Sequence, residues 1–180
     1  METLKCIETR RSVRRFLDKP VEKELLESIV ADASMSPSWK NSQSVRYVAV
    51  TDKKISAHIA DECVLGFTWN GKLLKSAAVI VALTTVTGRS GFEKDGSFST
   101  SQGTHWQSFD AGIAAQTFSL AAWDRGLGSV IIGVYDHDMV KKALELPEGQ
   151  QVSALMALGW PAEEPKAPPR KSVEELLTWK

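Results

Sequence analysis

The segment of residues 109–125 constrains the fold more than any other stretch of the sequence. It is rich in alanine, it is apolar on nearly every side when wound as a helix, and Gly126 ends it. A helix that is apolar nearly all round is usually buried at the centre of a domain. We therefore expect the other elements to pack around this helix.

Strands and helices are interspersed irregularly around that central segment. Residues 77–85 are uniformly apolar and rich in β-branched side chains, which is typical of a strand covered on both faces. Gly126-Leu127-Gly128 follows a helix and precedes a strand, the reverse of a dinucleotide-binding fingerprint. The pattern disfavours a Rossmann domain and predicts an α+β fold with a mixed central sheet flanked by helices. The other predicted strands cover residues 45–51, 129–134 and 152–158, and the other predicted helices cover residues 2–9, 21–33, 53–63 and 137–146.

Length and composition fit a single domain over residues 1–180. Hydrophobic residues make up 43% of the chain and charged residues 24%, so the chain can bury a substantial core. Residues 160–180 contain Pro161, Pro165, Pro168 and Pro169, which prevent a long regular element there. We expect this tail to run extended over a surface and to end in a short helix over residues 172–179.

Charge, cysteine and histidine patterns disfavour several functions. Lys plus Arg and Asp plus Glu both number 22, and a chain without basic excess is not a typical nucleic-acid binder. Cys6 and Cys63 are far apart, which disfavours a disulfide framework. His58, His105 and His137 are dispersed, without the spacing of metal ligands. No apolar run is long enough to cross a membrane and no secretory pattern opens the chain, so we expect no membrane partner and a cytoplasmic location.

Four arginines within six residues follow the first predicted helix. The segment Arg-Arg-Ser-Val-Arg-Arg occupies residues 10–15, and its charges repel one another unless an anion lies among them. Arginine binds phosphate through paired hydrogen bonds, and Ser12 adds a hydroxyl donor. The alternative is a solvated basic turn that pairs with Glu8 and Asp18. Arg170, in the proline-rich tail, could return to the same anion or remain solvated.

Two segments without periodicity are further candidates for ligand contacts. Residues 36–43, Ser-Pro-Ser-Trp-Lys-Asn-Ser-Gln, are dense in hydrogen-bonding groups of the kind that a flat heteroaromatic ligand needs. An ordinary helix-to-strand connection is the alternative. Residues 87–104 are rich in glycine and serine, and such a long structureless loop in a compact domain is usually functional. Asp110, at the head of the central helix, is expected to be a cap or a partner of the helix dipole.

Taken in order, these segments resemble the nitroreductase family. Residues 10–16, RRSVRRF, match the family's opening RRSxRxF signature, and residues 36–43 resemble its PSxxNxQPW loop. The resemblance continues through the central helix (DAGIAAQ, residues 110–116), the strand that follows it (GLGS, residues 126–129) and the closing pattern (LGWPA, residues 158–162, with Pro165 and Arg170). It spans the whole chain, and four matches in the right order are more specific than any one of them.

The resemblance implies an oxidoreductase with FMN at the interface of a domain-swapped homodimer, in which residues 160–180 pack on the partner subunit. NADH or NADPH would supply hydride by a ping-pong mechanism for a nitroaromatic, quinone or related acceptor, with no essential acid or base side chain. Carried over residue by residue, it assigns FMN contacts to Arg10, Arg11, Ser12, Arg14, Pro37, Ser38, Trp39, Asn41, Asn70, Ile131, Ile132, Gly133 and Arg170. Phe67, Trp69, His105 and Trp106 are the candidates to line the acceptor site.

Three departures from the family pattern bear on the acceptor. Ser44-Val45 replaces the family's Pro-Trp, Trp39 is bulkier than usual, and Ile132 stands where larger relatives often have Glu near the flavin. Two alternatives stay open: an FMN enzyme of the same fold with other chemistry (dehalogenation, flavin fragmentation or ring oxidation), and a non-enzymatic flavin-binding protein. The intact Arg-Ser-x-Arg segment argues against the second.

Overall fold

The structure is a computed structural model and describes residues 2–180. The helices are α1 (Thr3–Thr9), α2 (Lys23–Ala33), α3 (Lys53–Glu62), α4 (Thr68–Ser76), α5 (His105–Asp124), α6 (His137–Ala143) and α7 (Val173–Leu176), with a single 3₁₀ turn at Trp39–Asn41. The strands are β1 (Val45–Val50), β2 (Val79–Val86), β3 (Gly128–Ile132) and β4 (Gln150–Gly159). The prediction of an α+β fold is confirmed.

The four strands form one sheet in the order β1-β2-β4-β3, and every neighbouring pair is antiparallel. A mixed sheet was expected from the irregular interspersion of strands and helices. β2 and β3, which α5 joins in sequence, do run parallel to each other in the structure. The structure inserts β4 between these two strands, so they are not neighbours and the ladders are antiparallel. Within residues 2–180, the parallel contact is an isolated bridge between Ser12 and Ser129 at the outer edge of β3.

Helices cover both faces of the sheet, and β2 alternates between the two cores. Ile80 and Ala82 belong to the core under α3, α4 and α6, whereas Val79, Val81 and Leu83 belong to the core under α2 and α5. This alternation follows from the two-residue repeat of a strand. The prediction that this strand is buried on both faces is confirmed.

Helix α4 was not predicted from the sequence. Gly71 in its middle weakens intrinsic helix formation. In the structure, a Cβ on Gly71 would lie 2.4 Å from the carbonyl oxygen of Ala60, so glycine permits the close contact of α4 with α3. Tertiary packing thus overrides local propensity here.

Helix α5 is central, but one of its faces is uncovered. Phe118 is fully buried in the core, as the sequence predicts. Phe109, Gly112 and Gln116 are exposed and lie three to four residues apart, which places them on one stripe of the helix. Phe109 alone leaves 60% of its surface exposed. The expectation of a helix buried all round therefore does not hold within a single chain.

Candidate functional site

The arginine-rich segment lies along the outer edge of β3. The backbone N–H of Val13 donates to the carbonyl oxygen of Ser129 at 3.1 Å, next to the bridge between Ser12 and Ser129. Val13 is fully buried, and a Cβ on Gly128 would lie 2.5 Å from its Cγ2 atom. Glycine at position 128 therefore allows the segment to lie directly against the strand, which fixes the position of the arginines.

Within residues 2–180, the guanidinium groups of this segment have no recorded carboxylate partner. Burial lowers the pKa of Arg10, and the nearby positive charges of Arg11 and Arg170 lower it further. Arg170 thus lies near Arg10, which is one of the two placements that the sequence left open. Among residues 2–180, no recorded ion pair involves Arg10, Arg11, Arg14 or Arg170. Arg11 contacts the backbone carbonyl of Glu8, not its carboxylate. An anion among these groups would relieve their mutual repulsion.

Beyond Ser129, β3 presents free backbone groups at the same edge. Since the carbonyl of Ser129 points away from β4, the alternation along a strand directs the N–H and C=O of Ile131 outward as well. The side chain of Ile131 is 48% exposed, and Gly133 is also exposed. Ile132 differs, because its side chain is buried and the same alternation directs its backbone toward Leu155 of β4. Of the three predicted contacts, Ile131 and Gly133 are therefore the accessible ones.

Asn70 joins α4 to this end of β3. Its side-chain amide donates to the carbonyl oxygen of Val134 at 3.2 Å, and the side chain is buried. Phe67 and Trp69, at the start of α4, are exposed nearby in sequence. We use the name β3-edge group for the predicted residues that gather along this strand and its two ends: Arg10, Arg11, Ser12, Arg14, Asn70, Ile131, Gly133 and Arg170.

The predicted loop at residues 36–43 is strained and is held by Asp110. Lys40, Asn41 and Gln43 have φ angles of 45°, 55° and 45°, a left-handed conformation that costs about 1–2 kcal/mol per residue other than glycine. The backbone N–H of Trp39 donates to both carboxylate oxygens of Asp110 at 3.1 Å. Hydrogen bonds to a charged group contribute about 1.5–3 kcal/mol each. They are therefore large enough to offset much of the strain.

Asp110 is not the helix cap that the sequence suggested. Helix α5 begins at His105, four residues earlier than predicted, so Asp110 lies in its second turn and is buried with 2% of its surface exposed. Its carboxylate also accepts a hydrogen bond from the hydroxyl of Ser90 at 2.7 Å. This role was missed, although an acidic residue near the start of a mostly apolar helix was a usable signal.

Aromatic rings pack beside the same loop. The ring centroids of Trp39 and Trp106 are 4.6 Å apart, and those of Trp106 and Phe109 are 5.5 Å apart. The indole N–H of Trp106 donates to the hydroxyl of Thr100 at 2.8 Å. We use the name loop group for the predicted residues gathered at the start of α5 and in the preceding loops: Pro37, Ser38, Trp39, Asn41, His105 and Trp106.

The β3-edge group and the loop group are far apart within one chain. The loop group is tied to Asp110, whereas Thr9, next to the arginines, accepts a hydrogen bond from the indole of Trp123. Thirteen residues of helix separate these two positions of α5, a distance of about 20 Å. Along the sheet, Val45 aligns through Thr85 with Gln151, whereas Ser129 aligns with Leu158, which places the two groups at opposite corners about 27 Å apart.

A cavity of about 560 Å³ lies between α2, β1 and α5. Leu26, Val30 and Tyr47 provide part of its apolar lining, and Ser38 and Asp110 border it. Burial raises the pKa of Tyr47 to about 12. The cavity thus lies beside the edge strand β1 and extends to the loop group.

Neither a metal centre nor a membrane span is found in the part of the chain that the structure describes. Residues 2–180 contain no cluster of three or more His, Cys, Asp or Glu side chains that could hold a metal ion. None of the described helices is both long and apolar enough to cross a membrane. Cys6 and Cys63 are buried and free.

The sequence and the fold both match known proteins. Residues 7–68 and 65–160 match the nitroreductase family. The chain is 30% identical over 167 residues to a protein of Archaeoglobus fulgidus named as an NADH dehydrogenase/NAD(P)H nitroreductase, covering 91% of this chain and 87% of that one. The 180-residue chain therefore belongs to the nitroreductase family, as its sequence motifs indicated.

Two solved structures extend the comparison to the fold. A nitroreductase family protein from Streptococcus pneumoniae superposes with a TM-score of 0.87 at 25% identity, covering 99% of this chain and all of that one (100%). The NADPH:FMN oxidoreductase from Vibrio harveyi, solved with NAD⁺, gives a TM-score of 0.79 at 26% identity, covering 98% of this chain and 76% of that one. The fold is therefore the one that this family shares.

Proposed function

We propose that this protein is an FMN-dependent oxidoreductase that takes electrons from NADH or NADPH. The observation that carries the proposal is the β3-edge group, in which Arg10, Arg11 and Arg170 lie near one another with no ion pair recorded for them in the described part of the chain. The outward-facing backbone groups of Ile131 lie about 7 Å along β3 from Ser129, and Gly133, just past the end of the strand, lies about 13 Å from it. This spacing suits a ligand with a phosphate at one end and a hydrogen-bonding ring at the other. The names of the related NADPH:FMN oxidoreductase and FMN reductase support FMN as that ligand.

The chain's own residues bind and orient this cofactor. The arginines and Ser12 would hold the phosphate, and outward N–H groups at Ile131 and Gly133 would face the ring edge where negative charge develops on reduction. FMN supplies hydride and electron transfer when bound, so the protein needs no catalytic acid or base. Asn70 would fix the backbone that faces this ring edge, through its hydrogen bond to the carbonyl oxygen of Val134.

A complete site needs two copies of the chain. The predicted FMN contacts divide between the β3-edge group and the loop group, which lie about 20–27 Å apart in one chain. A single mononucleotide cannot touch both across the body of the sheet. In a two-fold symmetric dimer, the loop group of one subunit would meet the β3-edge group of the other, which gives two equivalent sites.

The uncovered stripe of α5 supports the same assembly. Phe109, Gly112 and Gln116 are exposed on the most apolar helix of the fold, and space is open where a Cβ on Gly112 would lie. A second copy of α5 could approach closely at this glycine. Interfaces of obligate homodimers bury about 2,000–5,000 Å² in total, and such an interface would remove this stripe from water.

The C-terminal tail would pack on the partner subunit. Residues 170–180 are exposed throughout, and Leu176 and Trp179 leave 71% and 86% of their surface uncovered. β1 is an edge strand of the sheet, and the cavity beside it is largely apolar. These features suit a tail that crosses to the other subunit, so the domain of residues 1–180 would be completed only in the dimer.

We place the enzyme in the cytoplasm and assign it flat aromatic acceptors. The rings of Trp39 and Trp106 would stack on a nitroaromatic or quinone at the open face of the site, with Phe67, Trp69 and His105 as further wall residues. Release of the oxidised nicotinamide before the acceptor enters would give ping-pong kinetics.

A spectrum of the purified protein tests this function. We expect flavin absorption bands, release of FMN and not FAD on denaturation, and loss of the colour when NADPH or NADH is added without oxygen. Colour should return on addition of a quinone. Colourless protein that cannot be reconstituted with FMN would contradict the proposal. Yellow protein that neither nicotinamide reduces would favour other chemistry on the same fold.

A further inference from the structure

Asp110 carries a buried charge whose partners come from two different loops. Besides the N–H of Trp39, its carboxylate accepts from the hydroxyl groups of Ser42, at 3.5 Å, and Ser90. None of the ion pairs recorded within residues 2–180 gives it a cationic partner. A buried carboxylate without a counter-ion depends on its hydrogen-bond donors, so each donor is held in place.

These bonds determine where two loops meet. Trp39 and Ser42 belong to the loop before β1, whereas Ser90 belongs to residues 87–104. Gln107, also buried on α5, accepts a hydrogen bond from the N–H of Gly88 at 3.0 Å and fixes the second loop one turn away. The side chains of Lys40 and Glu93 join the same two loops at the exposed surface, at 3.0 Å. Asp110 is the only one of these groups that binds both loops from inside the fold.

The position of the Trp39 ring depends on this anchor. Trp106 is fixed by α5 and by its bond to Thr100, and the Trp39 ring packs against it at 4.6 Å. The backbone of Trp39 has its anchor at Asp110. The indole Nε1 of Trp39 is buried and has no hydrogen-bond partner among the described residues.

We propose that Asp110 is a positioning residue that holds the Trp39 ring in the wall of the acceptor site and thereby sets the enzyme's affinity for its electron acceptor. The inference rests on the proposed function, because it assigns the loop group to the acceptor site. Asp110 itself is buried behind the loop and touches neither acceptor nor cofactor in this account.

The variant Asp110→Asn tests the proposal with little change in shape. An amide offers one acceptor oxygen and an NH₂ group, so whichever way it is turned the N–H of Trp39 loses one of its two oxygen partners and faces a donor instead, whereas the hydroxyl of Ser90 can accept from the NH₂ group. With 1,4-benzoquinone as the acceptor and FMN saturating, we expect KM for the quinone to rise about tenfold and kcat to stay within about twofold, since a tenfold change corresponds to the loss of one hydrogen bond. Asp138→Asn, at an exposed position of α6, is the matched control and should leave both constants unchanged.

The near-ultraviolet circular dichroism of the apoprotein reports the anchor independently of turnover. The difference between wild type and Trp39→Phe identifies the signal of the Trp39–Trp106 pair, and we expect Asp110→Asn to lose that signal while its melting temperature shows that it remains folded. An unchanged signal in folded Asp110→Asn would overturn the proposal, and so would a lost signal with an unchanged KM. Ser90→Ala gives a second test, with a smaller rise in KM expected. If wild type reduces no acceptor, the proposed function fails. The circular dichroism spectrum alone then tests whether Asp110 positions the Trp39 ring.

Discussion

The β3-edge group and the loop group are built in opposite ways. In the first, arginines with no recorded carboxylate partner within residues 2–180 lie beside a regular strand, and Val13 packed on Gly128 fixes their position. In the second, a buried anion holds a loop of left-handed residues and a pair of indole rings. The first arrangement supplies charge and free backbone groups, which suit tight binding of an anionic cofactor. The second supplies adjustable aromatic surface, which suits selection among acceptors. Cofactor binding is thus assigned to the β3-edge group, and selection among acceptors is assigned to the loop group.

Separating the two subunits of the proposed dimer should have the largest effect, because the proposed site needs both groups. Phe109→Asp places a charge on the exposed stripe of α5, where it would be harmless in a monomer but buried in a dimer. We expect a monomeric protein that binds FMN at least about 100-fold more weakly, since breaking a buried contact with an uncompensated charge costs about 3–5 kcal/mol. Light scattering and FMN titration measure both effects.

Ala57→Asp is the control for this substitution, because it adds the same charge at an exposed position of α3, on the other face of the sheet. It should remain dimeric and yellow. A monomeric Phe109→Asp protein with normal FMN affinity would show that one chain builds the whole site.

Removing single arginines should affect the β3-edge group and spare the loop group. Arg10→Ala and Arg170→Ala should each weaken FMN binding about 10- to 150-fold, because each loses a charge-assisted hydrogen bond of about 1.5–3 kcal/mol. The two changes should couple in a double-mutant cycle, since Arg170 lies close enough to influence the pKa of Arg10. Apoprotein titrated with FMN, followed by flavin fluorescence, gives the affinities.

Arg15 serves as the internal control for this series, because it occupies an unspecified position of the matched RRSxRxF motif, and Arg15→Ala should bind FMN normally. An FMN affinity equal to that of wild type in all three variants would mean that these arginines are solvated surface residues that do not contact FMN. The circular dichroism of the Trp39–Trp106 pair should be unaffected in every case.

Gly128→Ala tests whether the β3-edge group depends on close packing. The added Cβ would lie within 2.9 Å of three side-chain atoms of Val13, which is fully buried and cannot move aside freely. We expect a loss of about 1–3 kcal/mol of folding free energy, as for other overpacked cores, together with weaker FMN binding. Urea unfolding measures the first quantity. Gly112→Ala, where no atom lies within 4 Å, should instead stabilise the isolated chain by about 0.5–1 kcal/mol, because alanine favours a helix interior.

The smallest expected effect is on stability at alkaline pH. Burial raises the pKa of Tyr47 and of Tyr135 from the ordinary value of 10.0 to about 12. Because the folded state disfavours the charged phenolate, this contribution is fully present below pH 10 and is lost as the pH rises toward 12. We expect unfolding free energy to fall over that range, and Tyr47→Phe or Tyr135→Phe to flatten the decline.

These two tyrosines are the only ones in the chain, and they lie in different regions. Tyr47 stacks on Phe118 beside the cavity, whereas Tyr135 follows β3. The tyrosinate absorbance of both residues should rise over the same pH range in which the protein unfolds. Titration of one tyrosine in the folded protein would reveal a local opening in that region.

Sequence patterns predicted the elements whose own residues determine them and missed those determined by distant contacts. The β-branched run of β2 and the apolar repeat of α5 identify their elements directly. The helix α4 and the role of Asp110 depend on partners far along the chain, Ala60 for Gly71 and Ser90 for Asp110. Periodicity carries no information about such pairs. The motifs did identify most candidate site residues, but not that one chain holds them at opposite corners.

That separation has a consequence for mixtures of defective chains. A chain without Arg10 retains a sound loop group, and a chain without Trp39 retains a sound β3-edge group. In a hybrid dimer of the two, the site that joins the first chain's β3-edge group to the second chain's loop group would carry both defects. The other site would carry neither. Random assortment makes half of all dimers hybrids, so about a quarter of all sites would work although neither parent chain is active alone. Two alleles that each abolish activity could therefore restore it when expressed together.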